Sequence, residues 1–140
     1  MSPDSGAAFA ASAAALAGTP FRLHGRDPAS GLDCVGLVAA ALRGCGRRAV
    51  PPEGYPVRAT RIAPLLRFAA RNGFLAVAEG AAPRPGDLVL LRLSRIQVHL
   101  AILLAGPAFV HAHAGLGRVV IERGPPRWPA EARWRLQPES

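Results

Sequence analysis

A thiol and two imidazoles stand out in this sequence: Cys34, His99 and His111. A cysteine attacks well to the extent that it is thiolate, and the positive end of a helix dipole favours that anion. Asp33 is a natural helix cap, and Leu37, Val38, Ala41 and Leu42 recur at helical spacing behind it. The pattern predicts a short buried helix over residues 34–42 that opens at Cys34 and is stopped by Gly44 and Gly46. Its first turn leaves backbone N–H groups unpaired, that of Cys34 included, and these can hold the oxyanion of a tetrahedral intermediate. Alone, Cys34 reads more readily as an inert core thiol. The histidines alter that balance.

His99 lies in Gln97-Val98-His99-Leu100-Ala101-Ile102, an apolar stretch with strand character. A general base on a rigid strand, facing a nucleophile on a helix, is the cysteine–histidine arrangement of papain-like chemistry. His111 opens the next arm, Phe109-Val110-His111-Ala112. With a turn at residues 105–108, the two histidines fall on adjacent antiparallel strands, where His111 can orient His99 through a hydrogen bond. His111 and His113 point to the same face of a strand. Together with His99 and Cys34 they also allow a zinc reading, but there is no second close pair and the spacing of Cys34 is unlike a structural zinc motif. No metal and no other cofactor is expected. His24, in the loop before Cys34, could line a cleft, although a plain surface histidine is the simpler reading.

Residues 7–17 read as a helix capped by Asp4 or Ser5 and closed near Gly18, and residues 18–32 as a Gly- and Pro-containing loop that delivers the chain to Asp33. Residues 50–56 read as an extended connector, and residues 61–71 as a second amphipathic helix with Pro64 in its first turn and Asn72-Gly73 at its end. The period then changes. Runs at 88–93, 98–104, 108–112 and 118–122 are separated by turn residues, and the tail from Gly124 adds a final strand around 134–136. Helices followed by strands, without alternation, predict an α+β fold with an antiparallel sheet. We expect one domain over residues 1–140, with its core at about 14–123 and a tail at 124–140.

The chain has 140 residues, half of them hydrophobic, enough for one core. No apolar run approaches the ~20 residues needed to span a bilayer. Residues 7–17 resemble the apolar part of a signal peptide, but Asp4 and no Lys or Arg precedes them, which argues against secretion by this segment. Net charge is +8 and every basic residue is arginine. The arginines, such as Arg47-Arg48, Arg58, Arg61 and Arg118, are scattered rather than clustered, so they read as a solvated surface and not as a specific nucleic-acid site. Cys34 and Cys45 stand at opposite ends of the predicted helix, roughly 16 Å apart at the helical rise and well beyond the ~7 Å a disulfide allows. Both thiols are expected to be free.

Four ordered blocks resemble the NlpC/P60 family. Gly18-Thr19-Pro20-Phe21 and Asp33-Cys34-Val35-Gly36-Leu37-Val38 resemble its nucleophile region. Pro85-Gly86-Asp87-Leu88-Val89 resembles a strand start, and His99-Leu100-Ala101-Ile102 with His111-Ala112 resembles its histidine pair. The resemblance implies a papain-like α+β cysteine peptidase that cuts murein stem peptides next to D-glutamate and a diamino acid. Cys34 would be the nucleophile, His99 the base and His111 the orienting residue. Asp33, Phe21, His24 and His113 are the candidates for the substrate cleft; Asp33 also serves as helix cap, and by resemblance meets a substrate amine. Phe21 stands where the family usually has tyrosine, and Val35 where it usually has serine.

The chain looks most like the subgroup of phage tails and gene transfer agents, which implies tail or transfer-agent proteins as partners. It also implies synthesis in the cytoplasm, localisation to the particle and action in the periplasmic wall. The alternatives are an amidase or acyltransferase with the same triad, or an inactive structural or DNA-contacting component of a particle.

Overall fold

The computed structural model describes residues 4–50, 52 and 62–139. The expected connector at 50–56 lies largely outside these, as do Arg58 and the expected helix start at Arg61. Helix α1 (Ser5–Ala14) is capped by Asp4, whose carboxylate accepts the Gly6 N–H at 2.9 Å. A two-stranded hairpin, β1 (Arg26–Asp27) with β2 (Gly31–Leu32), leads into α2 (Cys34–Gly44). Helix α3 (Ala63–Arg71) follows, with Pro64 in its first turn, where the missing N–H costs nothing. Its C-cap Asn72 donates to the carbonyls of Val50 and Phe68, both at 2.8 Å, which ties the end of α3 to the chain beyond α2. None of the described helices is long and apolar enough to cross a membrane.

Strands β3 (Phe74–Ala76), β4 (Leu88–Ser94), β5 (Gln97–Leu104), β6 (Ala108–His113), β7 (Arg118–Arg123) and β8 (Ala130–Leu136) form one antiparallel sheet in the order β3-β8-β4-β5-β6-β7. The fold is α+β, as expected, and β4 to β7 form the expected meander. Period-two alternation divides the sheet's faces. Leu88, Leu90, Val98, Leu100, Ile102, Val110 and Ala112 face a core shared with Phe9, Val35, Leu37, Leu42 and Phe68 of the helices. Val89, Leu91, Ala101 and Phe109 form a smaller cluster on the other face with Leu93, Leu103 and Trp128. His99 and His111 alternate onto this second face.

The final strand expected around 134–136 is longer, β8 starting at Ala130. β8 lies inside the sheet, pairing β3 on one side and β4 on the other, and Trp134 and Leu136 are in the core. It is held there by charge as well as by its ladder. The fully buried Asp87 carboxylate receives Arg135 Nε at 2.8 Å, Arg133 Nη1 at 2.9 Å and Arg135 Nη2 at 3.0 Å, together with the Arg84 N–H at 3.0 Å. Burial pushes this carboxyl up, but the hydrogen bonds from Arg135, Arg84 and Arg133 outweigh it and hold it below the usual carboxylate range.

Residues 18–21, read as part of a loop, extend the sheet instead. The Gly18 and Phe21 N–H groups donate to the carbonyls of Val119 and Gly117, and the Val119 N–H to Thr19, all at 2.8 Å. Two glycines permit close approaches that a side chain would block. A Cβ at Gly36, in the first turn of α2, would lie 2.0 Å from the Gly25 carbonyl oxygen; one at Gly86, where φ is +89°, would lie 2.0 Å from that of Gly6.

Candidate active site

Helix α2 begins at Cys34 as the sequence suggests. Asp33 is extended at the N-cap, and its Oδ1 accepts the Gly36 N–H at 2.8 Å. Its Oδ2 accepts the His24 N–H at 2.9 Å, so one carboxylate caps the helix and fastens the preceding loop. Cys34 is partly exposed, and the backbone N–H groups of Leu100, Val35 and Cys34 itself approach the sulfur and favour its anion. They do not prevail. Burial, and then the Asp33 charge, push the thiol up to about 11, so the helix start does not leave a resting thiolate. Cys34 and Cys45 are both free.

Strand β5 presents His99 and β6 presents His111. The described ladder between them covers Ile102 to Leu104 against Ala108 to Val110, and continuing its register makes the two histidines diagonal neighbours on one face. Their rings meet edge to face, with His99 Nε2 and His111 Nδ1 2.9 Å apart. On its other side His111 Nε2 is 2.5 Å from Glu122 Oε2 on β7. Glu122 in turn accepts from Arg127 Nη1 at 3.2 Å, and Arg127 lies 4.1 Å over the Trp128 ring. Burial drives His99 down to about 3, helped by His111 and His113. Burial also lowers His111, although Glu122 pulls the other way.

The thiol and the two imidazoles line a cleft of about 280 Å³, together with Phe21, Asp33, His113 and Trp128 among others. The structure therefore brings together six of the seven residues singled out from the sequence. His24 is not among the residues lining the cleft; its backbone instead holds Asp33, from a left-handed conformation with φ at +58°. His113 lines the cleft and also accepts the Leu116 N–H at 3.1 Å, which shapes the β6–β7 turn. Val35 is fully buried in the core, so its side chain is taken up by packing. A larger cavity of about 480 Å³, lined by Pro83, Leu91, Pro107, Pro126 and Trp128 among others, offers no thiol, imidazole or carboxylate. Among the described residues no group of three or more His, Cys, Asp or Glu side chains is arranged to hold a metal ion.

Glu122, Arg127 and Trp128 were missed in the sequence. For Glu122 a signal existed: in the β6–β7 hairpin His111 pairs with Val120, and a residue two further along falls on the same face. For Trp128 none did, because it arrives from the segment read as a tail.

No curated protein matches this chain. Among solved structures, NlpC1 from Trichomonas vaginalis shares 16% identity with a TM-score of 0.71, over 96% of this chain and 45% of that one. RipB from Mycobacterium tuberculosis shares 21% identity with a TM-score of 0.60, over 94% and 64%. The NlpC/p60 domain of the peptidoglycan hydrolase SagA shares 26% identity with a TM-score of 0.60, over 94% and 98%. The chain thus spans less than half the length of the Trichomonas protein and nearly all of the SagA domain. The NlpC/P60 sequence profile matches residues 18–128, most of the chain, and includes Cys34, His99, His111 and Glu122. The chain belongs to the NlpC/P60 family.

Proposed function

We propose that this protein is a cysteine peptidase of bacterial cell wall, with Cys34 as nucleophile, His99 as base and His111 as the residue that orients the base. The observation that carries this reading is the 2.9 Å contact between His99 Nε2 and His111 Nδ1 in the cleft that also holds Cys34. It occupies one nitrogen of His99 and leaves Nδ1 for the thiol. As the sulfur attacks the scissile carbonyl carbon, its proton passes to His99 Nδ1, and the oxyanion is held by backbone N–H groups at the start of α2, that of Cys34 among them. Collapse breaks the C–N bond, and His99 returns the proton to the departing amine. Water, deprotonated by His99, then releases the acyl group from sulfur. Membership of the family and the likeness to a peptidoglycan hydrolase domain support murein as substrate. The finer reading is a cut between D-glutamate and the diamino acid of stem peptides, made by a phage-like particle that opens the wall locally.

Purified peptidoglycan incubated with the protein is expected to release stem-peptide fragments, and Cys34→Ala to abolish release. Equal release by the variant would exclude the mechanism, and intact stem peptides freed from sugar would mark an amidase instead.

Burial opposes a lone thiolate and a lone imidazolium alike, so the two charges form together during attack. Alkylation of Cys34 by iodoacetamide should accordingly keep rising with pH towards about 11. A plateau reached below neutrality would reveal a preformed ion pair and contradict this.

A further inference from the structure

We propose that Glu122 is a positioning residue of this site, setting the tautomer of His111 and, through it, that of His99, so that His99 Nδ1 is left unprotonated to serve as base. The proposal rests on the cysteine–histidine reading above. Its ground is the direction in which hydrogen bonds can run. An ionised carboxylate only accepts. Glu122 Oε2, 2.5 Å from His111 Nε2, therefore requires the proton of neutral His111 to sit on Nε2, leaving Nδ1 as a lone pair. That lone pair is 2.9 Å from His99 Nε2, so the His99 proton must lie on Nε2 as well. Only Nδ1 of His99 then remains to take a proton.

The reverse order fails at its far end. With His111 Nδ1 donating to His99, the bare Nε2 of His111 would face a carboxylate oxygen at 2.5 Å, acceptor against acceptor, unless Glu122 were protonated. Arg127 on the other carboxylate oxygen opposes that, and Glu122 is held below the usual carboxylate range, since its bonds to His111 and Arg127 outweigh the burial that would raise it. His111 is also fixed in place: its side chain is 4% exposed, and its ring lies 5.1 Å from Phe109 and 6.3 Å from Trp128. Glu122 is not among the residues lining the cleft, so its influence on the thiol runs through the two imidazoles.

Two readouts test this without a wall substrate, so their failure would leave the proposed function standing, and its failure would leave them usable. In a Cys45→Ser background, Cys34 is the sole thiol. Two-bond proton–nitrogen NMR spectra of the rings should show His99 and His111 protonated on Nε2. Glu122→Ala should populate the Nδ1–H form of His99 and slow iodoacetamide alkylation of Cys34 at neutral pH roughly tenfold. Glu122→Gln, whose amide oxygen can accept the same N–H, should restore most of both. Unchanged His99 spectra in Glu122→Ala, or a Glu122→Gln protein indistinguishable from it, would overturn the proposal.

Discussion

Replacing His99 with alanine is expected to reduce turnover of purified peptidoglycan on the order of 10⁴-fold while the protein stays folded. Three proton transfers are assigned to this ring: from the thiol, to the departing amine, and from the water that releases the acyl group. The Cys34→Ala/His99→Ala double variant should be no slower than either single variant, because the two groups act as one unit. His111→Ala should cost less, on the order of 10²-fold, since it removes the orienting contact and leaves the base. The void it opens between Phe109 and Trp128 has room for water to take over part of the hydrogen bonding. Initial rates with the four variants, each checked for an unchanged circular dichroism spectrum, test the ranking. If His99→Ala were milder than His111→Ala, the assignment of base and orienting residue would be reversed.

The largest loss of stability is expected from Asp87→Ala. The carboxylate is fully buried and collects hydrogen bonds from two arginines and a backbone N–H, so truncation removes the buried counter-charge that Arg133 and Arg135 share. A cost of about 3 kcal/mol is expected, read as a lower urea midpoint at an unchanged slope. The acid response follows from the same site. Its folded pKa is depressed, so the stabilisation is fully present above the unfolded value of about 3.9 and is lost as pH falls through the lower folded value. Chemical denaturation of wild type and Asp87→Ala should converge in that acid range. A constant difference down to pH 2 would assign the effect to packing rather than charge.

The readable parts of this molecule were those encoded locally. Asp33 before a helical repeat located the start of α2, and Gly106-Pro107 between two apolar runs located the hairpin that joins His99 to His111. What could not be read were relations between distant segments. Arg133 and Arg135 alternate along β8 in the manner of a solvent-facing edge, yet they neutralise Asp87 on another strand. The resting charge of Cys34 was equally hidden. A helix N-terminus favours thiolate, and the opposing burial and Asp33 charge depend on how the first turn meets β5. Glu122 escaped notice because in isolation it is one more polar residue at a strand's end.

The position of β8 has a consequence for the order in which the molecule is made. Phe74 of β3 has to wait for Leu136, and Leu88 of β4 for Trp134, so these partners emerge from the ribosome long after the strands they complete. Until then Leu88, Val89, Leu90 and Leu91 form the raw edge of a half-built sheet, the kind of surface that invites aggregation. Pairings between such distant segments form slowly. Arg127 and Trp128 belong to the same late stretch, so a nascent chain already carrying Cys34 and both histidines still lacks the groups that brace Glu122 and close one wall of the cleft. The cleft is therefore complete only once residues 127 and 128 have been added and folded into place.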